Sequence, residues 1–260
     1  GAFGNDSAGE TLTLSGDIKD SDNGGEALIK NGNGTLALDG NGTYSGNTVV
    51  NGGSLNLSGT LYDGTAGGEL VINGGTFLVE NDNALDSAAS APDLTMNGGN
   101  LRFQNSDSDA NGRFVLGDLT LAVDSVIDFG NGNLELDFIG SSIVGLNSNL
   151  LDIHNWTGNP NGPAGPDQLF FSGDKSLSAS ELNNIRFFRG AGTNKWGPPT
   201  VQNGTTGEVF PAPEASTIIH TAGILLIIAY HFRKKGAAIY RRIRSARQAQ
   251  NSLTRIGENI

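Results

Sequence analysis

The chain has 260 residues with a formal net charge of −11, 39 glycines, one methionine and no cysteine, a composition that excludes a helical bundle, a disulfide framework and thiol or cysteine-zinc chemistry. Residues 1–212 hold 25 acidic and 8 basic side chains and residues 213–260 hold 2 and 8. The acidic body therefore repels nucleic acid and anionic lipid, and the basic end is a separate object.

From the amino terminus, apolar residues alternate in short runs between Gly/Asn clusters, the pattern of brief strands joined by tight turns. Gly1 in place of a starting Met leads us to expect processing, such as removal of a signal peptide. TLTLSG at Thr11 reads as half a unit. Four units then line up: NGNGTLALDG from Asn31, NGGSLNLSGT from Asn51, NGGTFLVEND from Asn73 and NGGNLRFQNS from Asn97, spaced by 20, 22 and 24 residues. A short apolar run (TVV, ELVI, DLTM) precedes each of the last three, and SVIDFGNGNLELDF from Ser125 is a weaker echo.

Two architectures use a strand, Asn-Gly turn, strand unit. One is a meander of hairpins with type I′ turns, and the other is a right-handed parallel β-solenoid with one coil per repeat. The near-constant period favours the solenoid, because stacked coils set equivalent residues over one another. Leu36, Leu55, Phe77 and Leu101 are then expected in one inward column, and Asn51, Asn73 and Asn97 at equivalent bends. The fold class is all-β: a solenoid over 1–150, a capping region and linker over 151–211, and a separate C-terminal hydrophobic and basic α-helix. In the cap, Ser178 with Glu181 three residues on marks a helix start, and His154 is expected to pack beside Trp156.

The segment from Gly34, GTLALDGNGTYSGNTVVNGGSLNLSGT, resembles the passenger-associated transport repeat of bacterial autotransporters, with Tyr44, Gly46, Thr48, Val49, Asn51, Gly52, Gly53, Leu55 and Leu57 standing where that pattern expects them. The resemblance implies an exported parallel β-helix used as scaffold or surface structure. No C-terminal translocating barrel is read here, so another route of delivery is expected.

Ile218 to Phe232 form an uncharged, mostly apolar run stopped by Arg233, Lys234 and Lys235. At about 1.5 Å per residue it is short for a bilayer, yet its setting behind a Gly/Pro-rich linker and its cationic stop favour membrane insertion. Pro213, Glu214, Ser216 and Thr217 in front of it resemble the Pro-Glu-Pro-Ser-Thr signal of PEP-CTERM proteins, with Ala215 departing from the pattern. That resemblance spans 212–235. It implies sorting by an exosortase-like enzyme in a Gram-negative envelope, with delivery to the cell surface or exopolysaccharide matrix. The tail 236–260 places Ile239, Ile243 and Ala246 at helical spacing, with Arg241, Arg242, Arg244 and Arg247 on other faces, and suits an anionic leaflet on the cytoplasmic side.

Catalysis is not expected. Asp124 and Asp128, four apart, could be neighbours across a bend, but nothing basic or aromatic near them in sequence marks a sugar cleft, and eight cations are spread over the body. Asp107, Asp109, Asn111 and Gly112, with Asp118 at the twelfth position, have the spacing of a calcium loop, and Asp20, Asp22 and Glu26 form a weaker candidate. No cofactor other than calcium is expected. The functional reading is a surface or matrix scaffold sorted or anchored through its C-terminal helix, with exopolysaccharide and further copies of itself as candidate partners. The alternatives are a subunit of an extracellular filament or sheath and a polysaccharide-processing β-helix enzyme.

Overall fold

The computed structural model describes residues 1–211 except 5–6, 22–23, 62–67, 82–83, 86–90, 105–111, 160–162, 175, 193 and 197–199. The C-terminal apolar run, its flanking signal and the basic tail lie outside the described residues. No helix among those described is long and apolar enough to cross a membrane.

The repeat units become coils. Along the chain, β1 (Ala2–Gly4) is followed by β2 (Thr11–Leu14), β3 (Leu28–Asn31) by β4 (Thr35–Leu38), β5 (Thr48–Val50) by β6 (Ser54–Leu57), and β7 (Leu70–Ile72) by β8 (Thr76–Val79). The next coils add a third strand: β9 (Leu94–Met96), β10 (Asn100–Phe103) and β11 (Gly112–Leu116), then β12 (Leu119–Leu121), β13 (Ser125–Asp128) and β14 (Leu134–Phe138), then β15 (Ile143–Val144), β16 (Leu151–His154) and β17 (Gln168–Phe170). The chain continues with α1 (Ala179–Asn184), β18 (Ile185–Arg189), β19 (Asn194–Lys195), β20 (Thr200–Gln202) and β21 (Glu208–Pro211).

The first strand of each coil enters a seven-stranded sheet, the second a nine-stranded sheet and the third a five-stranded sheet. Pairing between coils is parallel from β1 through β18, which excludes the hairpin meander. In the early coils the third column is reduced to the bridges Ile18–Gly42 and Gly42–Leu61. The body is thus a parallel β-solenoid whose core is the space enclosed by three sheets.

The expected inward column is present. Leu36 pairs with Leu55, Leu55 with Phe77, Phe77 with Leu101, and the column runs on through Ile127 and Ile153 to Phe187. Leu55, Phe77 and Leu101 are each 0% exposed. Stacked coils about 4.8 Å apart bring such side chains into contact over their whole height.

The bends from β5 to β6, β7 to β8 and β9 to β10 are made at Asn-Gly-Gly, where Gly53, Gly75 and Gly99 take φ of 63°, 69° and 71°. A side chain there would also collide with the coil below, since a Cβ on Gly53 would lie 2.2 Å from the Gly34 carbonyl oxygen. The first unit, Asn31-Gly32-Asn33-Gly34, is one residue longer. This is why Leu36 follows its Asn by one position more than its counterparts do, yet pairs in register.

Two expectations need correction. The echo from Ser125 is displaced by one corner: its first half is β13 in the second sheet and its second half is β14 in the third, so Asn131-Gly132-Asn133 turns the chain at a different edge. Parallel stacking also continues past residue 150, because β16, β17 and β18 each lie on an earlier strand. Antiparallel pairs enter only with β19, β20 and β21. Ser178 does cap α1 in a reciprocal capping box, its hydroxyl accepting from the Glu181 backbone N–H at 3.3 Å while the Glu181 carboxylate accepts from the Ser178 N–H at 2.7 Å.

Candidate functional site

The chemistry-bearing side chains fall into four groups, of which the first is the unit around Tyr44. Its ring is buried at 1% exposure and its hydroxyl shares a 2.7 Å hydrogen bond with Thr48, the one polar residue in a column otherwise made of Leu28, Leu70 and Leu94. At Gly46 an added Cβ would lie 2.3 Å from the Glu26 carbonyl oxygen. The Tyr-x-Gly spacing is therefore a device for filling a corner and letting two coils approach. Lys30, fully buried above Val50, gives its ammonium to the carbonyls of Asn31, Gly32 and Gly52 at 2.6, 2.9 and 3.2 Å.

The second group is the asparagine ladder. The amide of Asn51 donates to Asn31, that of Asn73 to Asn51 and that of Asn97 to Asn73, at 2.7, 2.7 and 2.6 Å. The ladder runs up a solvent-exposed edge and is not buried, because Gly at the next position turns the chain away and leaves the amides outside the sheet corner.

The third group is a set of carboxylates that stitch one coil to the next. Asp118 accepts from the Ser142 N–H at 3.0 Å while its own N–H donates to Asp93 at 2.8 Å, so this predicted calcium ligand is spent on the bend. Its companions Asp107, Asp109 and Asn111 lie outside the described residues. Asp124 accepts from Leu150 N–H at 2.8 Å, whereas Asp128 accepts from Gly130 N–H and the Asn155 amide at 2.9 and 2.6 Å and faces Arg102 at 3.5 Å. These two carboxylates serve different neighbours and form no acid–base pair.

Asp20 accepts from the Ser45 hydroxyl and N–H at 2.6 and 2.9 Å, and from the Glu26 N–H at 3.2 Å. The Ser45 hydroxyl in particular lowers its pKa. Asp22 is outside the described residues. No cluster of three or more His, Asp or Glu among the described residues is placed to hold a metal.

On the outer face of the third sheet, Arg113 meets Glu135 at 2.8 Å and Asp137 at 3.5 Å. Beside this row Glu208 is buried, both its oxygens accepting from the Ala164 N–H at 2.9 and 3.0 Å. Burial raises its pKa and the Glu135 charge adds to the rise. Asp167, 1% exposed, accepts from Thr157 N–H and hydroxyl at 2.5 and 2.8 Å and from Leu134 N–H at 3.1 Å, and burial pushes its pKa up against those bonds.

The fourth group is aromatic and was missed by reading the sequence. Trp156 packs on Phe187 with ring centroids 4.9 Å apart and stands edge-to-face with Trp196 at 5.8 Å, and the Arg189 guanidinium lies 3.5 Å from the Trp196 ring centroid. His154 does not join them. It turns outward and meets Phe188 at 5.2 Å, because Asn155 takes a left-handed φ of 56° that breaks the alternation between the two side chains. A groove of about 580 Å³ opens here, lined by the loops around Asn131, Asn155 and Arg189. The available signal was the recurrence of Asn/Gly turns after β13, β16 and β18, each at the same edge of the second sheet.

Residues 28–57, which form β3 to β6, match the family model for the passenger-associated transport repeat. No curated protein and no solved structure matches the chain. The unit of Tyr44, Gly46 and the Asn-Gly-Gly bend is thus similar to a passenger-associated transport repeat, and the match points to an exported, autotransporter-passenger-like surface protein.

Proposed function

We propose that the protein is an exported, non-catalytic scaffold of the cell surface or extracellular matrix of a Gram-negative bacterium. In this reading the acidic solenoid is displayed outward. The segment from Pro213 through Lys235 sorts or anchors it through the inner membrane, with an exosortase-like enzyme as partner and the basic tail on the cytoplasmic side. The observation that carries the reading is the pair of successive coils formed by residues 28–57, which match the transport repeat and are continuous with coils above and below them. The antiparallel pairs of β19, β20 and β21 support a capping role for the end of residues 151–211, since an uncovered end would expose core and edge strands. A structural role is supported by the carboxylates, which bond backbone N–H groups between coils and so hold geometry instead of waiting for a substrate.

The test is a chain ending at Pro211, exported in a Gram-negative host beside the full chain. The full chain is expected in the envelope fraction. The shortened one is expected in the soluble or released fraction, with the same β-type circular dichroism and the same thermal midpoint. Retention of the shortened chain in the envelope overturns the sorting role. A much lower melting temperature assigns the tail to the fold or to an assembly.

A further inference from the structure

The aromatic groove is an open concave feature of the later coils. Its walls come from three successive coils, through Gly130–Asn133, Asn155–Gly158, and Arg189 and Gly190 with Trp196, so it runs along the stack. Trp156 lies at its base with 2% exposure, and the indole nitrogens of Trp156 and Trp196 are both buried without a hydrogen-bond partner. Arg102, Arg113 and Arg186 each face a carboxylate. Arg189 has no carboxylate partner among the described residues; it is exposed and held over Trp196.

We propose that this groove binds a neutral saccharide chain. A sugar offers hydroxyls that both donate and accept, matching the side-chain amide of Asn131 and the planar fork of Arg189, together with C–H faces that pack on the half-exposed edge of Trp196. Charge selects against a polyanion: the body carries 25 acids to 8 bases, and Asp128 and Asp167 support the groove from behind through Asn155 and Thr157. The proposal uses residues 130–196 alone and stands independently of how the chain is sorted.

The chain contains two tryptophans and both line the groove, so tryptophan emission, excited selectively over the four tyrosines, reports this site. The full chain, in a detergent without a sugar headgroup, is titrated with neutral gluco-, galacto- and manno-oligosaccharides and with an oligouronate. A saturable change in emission with at least one neutral probe is expected. In R189A that binding should weaken by about tenfold or more at unchanged thermal midpoint, since Arg189 is exposed and touches only a ring. The N131A variant provides a second reading from the opposite wall. No saturable change with any neutral probe overturns the proposal, as does undiminished affinity in both variants. Binding of the oligouronate alone overturns it in favour of an anion site.

Discussion

The repeat stack over residues 28–104 and the later coils over residues 130–211 continue the same parallel second sheet, yet they spend their side chains differently. In the repeat stack the recurring Asn-Gly bend sets like over like, producing the buried column Leu36, Leu55, Phe77 and Leu101 and the outer ladder Asn31, Asn51, Asn73 and Asn97. In the later coils spacing lapses, loops lengthen, and cohesion passes to a tryptophan cluster and to buried carboxylates such as Asp167 and Glu208. A recurring bend gives columns of like residues; its lapse is what lets three unlike loops assemble a groove.

The largest effect should come from the stack. Phe77→Ala empties a site of zero exposure with apolar neighbours above and below, and should cost about 3–5 kcal/mol in equilibrium denaturation. A cost under about 1 kcal/mol would mean that the column is not the stabilising core.

In the later coils the corresponding weak point is polar. Asp167→Ala strands the N–H groups of Thr157 and Leu134 and should cost about 1–3 kcal/mol. It should also perturb tryptophan emission, because Thr157 lines the groove with Trp156. A stability loss with unchanged emission would separate the groove from this support.

Acidity should sharpen the same contrast. Asp167 and Glu208 hold their protons more tightly folded than unfolded, chiefly through burial. Their contribution is therefore full below the ordinary carboxylate range and is lost as pH rises through the raised folded values. The Asp20 carboxyl, lowered by the Ser45 hydroxyl, works in the opposite sense, its contribution being lost only as pH falls through its lowered value. The thermal midpoint is expected to rise as pH is lowered from 7 toward about 4–5 and to decline in stronger acid. In the D167N variant the rise should shrink. A midpoint that falls steadily from neutrality downward would contradict the buried-carboxyl account.

The smallest effect belongs to the ladder. Asn73→Ala removes two amide bonds on an exposed edge, where water replaces them, and should cost less than about 1 kcal/mol by thermal denaturation. A loss of several kcal/mol would show that the ladder, and not the apolar column, sets coil register.

The fold was legible where period and residue type agree. The inward column could be read because Leu and Phe recur at a fixed offset from Asn-Gly, and the short helix because Ser178 and Glu181 form a local box that needs no tertiary partner. The echo at Ser125 was read at the wrong corner because Asn-Gly reports a sharp bend but not which bend. The pairing of His154 with Trp156 failed for a related reason: a single left-handed residue, Asn155, sends neighbours in sequence to opposite sides of the wall.

By itself the sequence determined that the chain is an acidic, glycine-rich β-repeat carrying a transport-repeat unit, because alternation and turn chemistry are local and survive without any partner. Only the tertiary structure decided that Gly130–Asn133, Trp156, Arg189 and Trp196 share one groove and that Asp167 is buried beside it. Those meetings depend on how many residues each coil consumes before returning to the same edge, a sum over the whole path that no short window of sequence contains.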